Sequence, residues 1–413
     1  MTTTPELHEP ATGEHWLQVY RQLHAHPELS GEEHGTARLV AEELRALPGW
    51  EVTERVGGTG VVGVLQGGPG PVIWLRADMD ALPVQEDTGL AYASTVSGVM
   101  HACGHDVHVA ALLGACAELA TGPRPTGTVV AIFQPAEETG AGAQRMVDDG
   151  VVQRFPKPAI VLGQHVAPLP AGLVISRSGP LMAASDSIRV TFTGRGGHGS
   201  QPHLAVDPLL MAASLVVRMQ TLTARQSAVP ASAVLTAGAL HAGTRPNIIS
   251  ETAELLLTLR TFSDTARQRI LDDLQRLAES EATGAGAPKP PEFVPYDHFP
   301  VTVNTPGDTE RVMATLAAAG VPYMPLDNPL TGSEDFGVFG TAAGVPSVFW
   351  HIGGIDWVRF TEEDQHIMLT EHTIPPRFPS NHSPRFAPDP EQTLPAAITA
   401  MVTAARAELS RSE

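Results

Sequence analysis

Short, nearly continuous apolar runs recur along the chain: VVGVL at 61–65, VIWL at 72–75, TVVAIF at 128–133, AIVLG at 159–163 and VPSVFW at 345–350. Continuous rather than alternating runs predict strands covered on both faces. Between several of them lie stretches at helical spacing, including HVAALLGACAELA at 108–120 and GAQRMVDDG at 142–150. The alternation predicts an α/β fold around a sheet that is at least partly parallel. Upstream, SGEEHGTARLVAEELRAL keeps helical spacing up to Leu47, and Ser30 followed by Glu33 fits a capping box at its start. Residues 1 to about 13 read as a loose tail.

From about residue 185 the texture changes. DSIRVTFTG alternates apolar and polar positions, a helix opens near Asp207 and Pro208, SAVLTAG and ETAELLLTLRTF read as strands, and SDTARQRILDDLQRLAESEA as a second helix. The order β, α, β, β, α, β predicts a small split-βαβ layer with an open sheet edge. A Gly- and Pro-rich stretch around 283–291 marks its far end, after which the first texture returns and closes on an amphipathic helix near 390–411. The expected organisation is a catalytic domain in two parts, 1–184 and 296–413, interrupted by a satellite domain over 185–295.

At 413 residues the chain has room for two or three domains, each with its own core. A net charge of −19 argues against nucleic acid and anionic membrane partners, which draw affinity from clustered cations. The two cysteines, Cys103 and Cys116, are too few for a disulfide framework and fit a reducing compartment or simple indifference to redox. No apolar run reaches the roughly 18 residues of a membrane span, and the N-terminus lacks the basic and apolar regions of a signal peptide. The expectation is a soluble, cytoplasmic protein. Its 17 histidines, several close together, direct attention to metal chemistry.

Candidate ligands follow the apolar runs: Arg76, Asp78 and Asp80 after VIWL, Glu137 and Glu138 after TVVAIF, Gln164 and His165 after AIVLG. Sites in open α/β sheets form beyond the carboxyl ends of strands, so these segments are expected to converge there. The densest cluster is HACGHDVH, with His101, Cys103, His105, Asp106 and His108 around Gly104. A soft thiolate and imidazoles in a tight turn suit zinc or a neighbouring first-row ion. Each element also has a plainer reading: a capped helix start for HACGHDVH, solvated acids for Glu137 and Glu138, satisfied side chains for His165 and His382. Together, a Cys, a Glu and three His can supply two closely spaced cations, with one acid left over as base. Such a pair lowers the pKa of water and polarises a carbonyl, the equipment for hydrolysing an amide.

The segments RQLHAHPELS, RADMDALPVQEDTGL, VMHACGHDVH, FQPAEETGAG, GGHGSQPHLAVDP, TRPNIIS, GSEDF and NHSPRF resemble, in order, the motifs of the dinuclear metallo-amidohydrolases that include aminoacylases, hippurate hydrolases and indole-acetyl amino acid hydrolases. The resemblance spans almost the whole chain from about residue 16. It implies a zinc-exopeptidase-like catalytic domain, with a mixed, largely parallel sheet flanked by helices, and an inserted α+β ferredoxin-like satellite domain. It implies two divalent metal ions per subunit, Zn²⁺ foremost, with Mn²⁺, Co²⁺ or Ni²⁺ as alternatives. Cys103 is implied as the bridging thiolate, His105 and His165 as terminal ligands of one ion, and Glu138 and His382 as those of the other. Glu137 is implied as general base and acid, with Asp80 holding His105 in its tautomer. His198 of GGHG is implied to stabilise the oxyanion in a neighbouring active site across a homodimer or higher homo-oligomer, and Asn247 to assist substrate binding. Without the resemblance His198 reads as structural or merely exposed, and Arg260 as either a carboxylate partner or a solvated strand end.

The implied activity is hydrolysis of N-acyl amino acids to a carboxylic acid and a free amino acid. A dipeptidase or carboxypeptidase is the alternative within the same chemistry. Thiol catalysis by Cys103 and a binding protein without turnover are the competing classes. One stretch departs from the pattern: IDWVRFTEEDQHIMLTEHTIPPRFPS, between WHIGG and NHSPRF, is extended, adjoins the expected acyl pocket and carries His366 and His372 as rival ligands to His382.

Overall fold

The computed structural model describes residues 13–123, 125–225, 233–370 and 374–411. These fall into two compact units, Met1–Leu181 with Val303–Pro329 and Asp335–Glu413, and Met182–Thr302 with Leu330–Glu334. The stretch read as a loose tail lies outside the described residues as far as residue 12, and Gly13 already opens a helix, Gly13–Ala25.

The first unit is built on an eight-stranded mixed sheet in the order Trp50–Val56, Gly60–Gln66, Thr126–Gln134, Gly68–Asp78, Ile160–Pro170, Ser347–Ile355, Val174–Ser176, Tyr323–Pro325. The inner neighbours Thr126–Gln134, Gly68–Asp78, Ile160–Pro170 and Ser347–Ile355 run parallel, while Trp50–Val56 and Gly60–Gln66 add antiparallel. Ile160–Pro170 and Ser347–Ile355 are buried at every position, as the continuous apolar runs predict. The helix His105–Thr121 is buried almost all round, so it belongs inside the helical layer rather than on its surface.

Two local expectations need correction. The strand begun by AIVLG does not stop before Gln164 and His165 but runs on to Pro170. Gln164 is satisfied inside the protein, its amide donating to Ala397 O at 3.0 Å and its carbonyl accepting from Trp350 Nε1 at 3.1 Å. The sheet therefore continues through a polar pair, and the strand's alternation turns His165 to the opposite face. Nor do Ser30 and Glu33 form a capping box: the helix begins at His34 with no side-chain cap. The Ser30 hydroxyl donates to Asp80 and the Glu33 carboxylate accepts from Gly31, Thr59 and Ala136, so both side chains are turned inward.

The second unit has a four-stranded antiparallel sheet in the order Val234–Ala242, Thr252–Thr261, Ala184–Thr193, Glu292–Phe299. Helices Pro208–Arg225 and Asp264–Gly284 cover it, completing a ferredoxin-like β, α, β, β, α, β order. Its separate core joins Ile188, Val190 and Phe192 from one strand face to Leu215, Leu255 and Leu274. Ser263 caps the second helix by accepting from Ala266 N at 3.2 Å. Among the described residues no helix is long and apolar enough to cross a membrane.

Candidate metal centre

Gly104 makes the turn on which the centre depends. It holds φ at +87° at the mouth of the helix His105–Thr121, and a Cβ there would lie 2.3 Å from Val166 Cγ1. That close approach presses the turn against the strand carrying His165 and leaves Cys103 Sγ 3.4 Å from His165 Nε2. The 381–382 turn is tied to the same two segments: Asn381 Nδ2 donates to Cys103 O at 3.0 Å and Val166 O at 3.2 Å, and His382 N donates to Ala102 O at 2.8 Å. Glu137 and Glu138 arrive on the turn after Thr126–Gln134, and Asp80 just after Gly68–Asp78.

Two groups of donor atoms capable of holding a cation share the Cys103 sulfur: Cys103 with His105 and His165, and Cys103 with Glu138 and His382. His165 donates its Nδ1–H to Val166 O at 2.8 Å, which leaves Nε2 as the lone pair facing the sulfur. His105 Nδ1 lies 3.3 Å from Asp80 Oδ1, so its Nε2 is the free nitrogen. That Nε2 is buried without a hydrogen-bond partner, as is Glu138 Oε1 3.8 Å away. Glu137 Oε2 stands 3.9 Å and Asp78 Oδ2 3.7 Å from the same nitrogen, and His382 Nε2 3.5 Å from Glu138 Oε2. Two facing buried atoms without a hydrogen-bond partner, His105 Nε2 and Glu138 Oε1, are costly unless a cation meets them, so the residues present fit a metal.

The electrostatics agree. Burial pushes the Cys103 thiol well up, and Glu138 adds to the rise. Burial raises the Glu138 carboxyl to about 7, with His105 opposing and Asp80 reinforcing. Burial alone would lower His105, but Asp78 and Cys103 outweigh it and hold the imidazole well above its ordinary range. The centre thus retains protons where a cation would otherwise neutralise its anionic donors. Asp80 stays below the usual carboxylate range despite burial because it accepts from His105, the Ser30 hydroxyl at 2.6 Å, Glu137 N at 3.1 Å and Glu138 N at 3.0 Å.

The dense HACGHDVH cluster separates on inspection. Only Cys103 and His105 enter the sulfur-sharing groups. His108 spends both nitrogens, Nδ1 on Asp78 Oδ1 at 2.5 Å and Nε2 on Val166 N at 2.8 Å. Asp106 pairs with His24 Nδ1 at 2.7 Å, and His101 is buried outside every donor group among the described residues. His366 lies on the exposed side of the helix Glu362–Thr370 and joins no donor group there, and His372 lies outside the described residues. Sequence reasoning placed Ser30 and Glu33 at a helix cap and Arg76 and Asp78 among the candidate ligands, and did not foresee the inward-turned Ser30 and Glu33 or the buried Arg76–Asp78 pair at 2.6 Å. The signal for that pair was two opposite charges closing an otherwise apolar strand.

His198 and Asn247 belong to the second unit and come together there. His198 lies on a two-residue strand paired with Ile248–Ile249, and Gly199 N donates to Asn247 O at 2.8 Å. Ser200 N donates to His198 Nδ1 at 3.1 Å, so the ring proton sits on Nε2, ready to donate. Arg260 donates to Thr331 O at 2.7 Å and Ser333 Oγ at 3.0 Å.

The family model described as Peptidase family M20/M25/M40 matches residues 74–372. The chain is 40% identical over 347 residues to thermostable carboxypeptidase 1 of Saccharolobus solfataricus, covering 82% of this chain and 86% of that protein. It is 36% identical over 364 residues to N-acetylcysteine deacetylase of Bacillus subtilis, covering 86% and 91%. The crystal structure of a dinuclear metal binding peptidase of the M20 family from Bacillus subtilis matches with a TM-score of 0.76 at 31% identity, over 97% of this chain and 99% of that one.

Proposed function

The chain belongs to peptidase family M20/M25/M40 and is a metal-dependent amidohydrolase; from that premise we propose that its substrates are N-acyl amino acids, cleaved to a carboxylic acid and a free amino acid. The observation that carries the reading is the shared sulfur: one thiol belongs to two donor groups, with the Glu137 carboxylate beside them. Cys103, His105 and His165 would hold one cation, and Cys103, Glu138 and His382 the other. Thiolate and imidazole donors favour Zn²⁺, with Mn²⁺, Co²⁺ or Ni²⁺ also compatible. Two divalent cations supply Lewis acidity, lowering the pKa of water towards neutrality and polarising the scissile carbonyl.

The chain's own groups do the rest. Glu137 takes the proton of the attacking water and returns it to the amine nitrogen as the C–N bond breaks. Asp80 keeps the Nδ1–H of His105 in place and the Glu137 and Glu138 amides in register. His198 donates from Nε2 to the carbonyl oxygen as negative charge builds there, in the site of a second copy, and Asn247 assists in holding the substrate. A homodimer through the satellite unit is supported by exposed Leu204, Leu209, Leu210 and Val217, and by the edge position of the strand Val234–Ala242. Free thiols at Cys103 and Cys116 suit a cytoplasmic setting.

The name of the carboxypeptidase relative favours a second reading, cleavage of peptides beside a C-terminal amino acid. Metal-reconstituted protein should turn over N-acetyl, N-benzoyl or long-chain acyl amino acids faster than dipeptides and lose that activity on chelation. Turnover of dipeptides alone would overturn the substrate assignment, and activity that survives chelation but not thiol alkylation would move the chemistry to Cys103 as nucleophile.

A further inference from the structure

Ala136 stands immediately before Glu137 and holds φ at +52°, a left-handed conformation that a residue with a Cβ keeps only when its surroundings impose it. They impose it at both backbone groups. The Ala136 N–H donates to Glu33 Oε1 at 2.8 Å, and its carbonyl accepts from Gly142 N at 3.1 Å. Gly142 runs close to the same turn, where a Cβ would lie 1.7 Å from Pro135 O, so only glycine fits there.

Glu33 is completely buried. Its remaining bonds fix it in turn: Oε1 accepts from Gly31 N at 2.7 Å and Oε2 from the Thr59 hydroxyl at 2.5 Å. The next two amides of the turn, Glu137 N and Glu138 N, donate to Asp80, which the Ser30 hydroxyl also holds. Consecutive amides at 136, 137 and 138 therefore all end on buried carboxylates, and the short segment Ser30–Glu33 anchors both of those carboxylates. The buried Glu33 carboxylate, which meets neither a cation nor a helix start, thus ties the strained Ala136 amide to two fixed points, Gly31 N and the Thr59 hydroxyl.

We propose that Glu33 is a positioning residue for the hydrolytic reaction: it sets the backbone at Ala136 and thereby aims the Glu137 carboxylate, without touching substrate. The inference rests on the reading of Glu137 as the base. A general base misplaced by about 1 Å can cost about 100-fold in rate while leaving substrate affinity intact.

The test uses the full chain, reconstituted with Zn²⁺ and assayed on its fastest N-acyl amino acid. Glu33→Gln keeps a carbonyl for Gly31 N and Ala136 N and an amide for the Thr59 hydroxyl, so kcat should stay within about threefold of wild type. Glu33→Ala leaves those amides unheld, and kcat should fall about 30- to 100-fold with KM within about threefold and two zinc equivalents retained. In a Glu137→Gln background, Glu33→Ala should add less than about twofold, because the group it aims is already gone. If Glu33→Ala does not fold, Glu33→Asp carries the test, since it is one methylene short and should lower kcat at least about tenfold with KM unchanged. A folded Glu33→Ala or Glu33→Asp with wild-type kcat, a loss confined to KM or zinc content, or a full further loss in the Glu137→Gln background overturns the proposal. Wild-type kcat in Glu137→Gln alone would instead remove the reading of Glu137 on which it rests.

Discussion

His105 and His198 are assigned to one reaction, yet they occupy opposite surroundings. His105 is fully buried, its Nδ1 facing Asp80 and its Nε2 facing Glu138, Asp78 and Glu137. His198 is exposed on a two-residue strand, with Ser200 as its hydrogen-bond partner. The first is held by its own unit before any substrate arrives. The second is only oriented, with its donor nitrogen left for something outside. Changes to groups at the metal centre should therefore register in chemistry, metal content or stability, whereas changes at the His198 corner should register in turnover or substrate binding and not in metal content or stability.

The sharpest test of the buried side is Glu137→Gln. Removing the base should lower kcat by about 1,000- to 10,000-fold while zinc content, read by elemental analysis, stays at two equivalents. Loss of zinc with loss of rate would make Glu137 a ligand rather than the base.

On the exposed side, His198→Ala should lower kcat by about 100- to 1,000-fold with no change in Tm or zinc content. Mixing it with Glu137→Gln probes where His198 acts. If His198 serves a second copy, each mixed dimer has one intact site, so equal amounts after full subunit exchange should recover about a quarter of wild-type activity. No recovery after demonstrated exchange would place His198 in the site of its own chain.

The same contrast explains what was legible in the sequence. The parallel sheet and the satellite layer could be read because burial on both faces, or on one, writes directly into the apolar pattern. Cys103, His105, Glu137 and Glu138 were visible as chemistry out of place beside apolar runs. His198 offered no such contrast, because an exposed histidine between glycines satisfies every local rule, and only the motif resemblance singled it out. Ser30 and Glu33 were misread for the opposite reason. Their spacing fits a helix cap, but a local pattern cannot announce that a carboxylate will spend itself on an amide 103 residues away. His108 stood among the candidate ligands because composition counts imidazoles without counting their free nitrogens.

His24 extends the comparison to a histidine that is buried and charged. Burial alone would depress it, but Asp106 at 2.7 Å and Glu86 at 3.2 Å outweigh burial and raise it to about 9. Its folded pKa thus exceeds the ordinary 6.5, so the stability it contributes is complete below about pH 6.5 and is lost as pH rises through about 9. The contribution is on the order of 3 kcal/mol. Urea unfolding of the zinc-loaded protein at pH 6 and pH 9.5 should show that loss in wild type and not in His24→Gln. An equal loss in both would assign the pH dependence to another group.

The smallest effect separates Asn247 from its neighbour. Its backbone carbonyl accepts from Gly199 N, one residue after His198, and that contact survives any side-chain change. Asn247→Ala should therefore leave the His198 ring where it is and remove only an exposed amide. If that amide binds substrate equally in the ground state and the transition state, KM should rise about tenfold, worth about 1.4 kcal/mol, with kcat and Tm unchanged. A fall in kcat with KM constant would mean that Asn247 acts with His198 on the developing charge, and the exposed corner would then be one catalytic device rather than a donor beside a binding group.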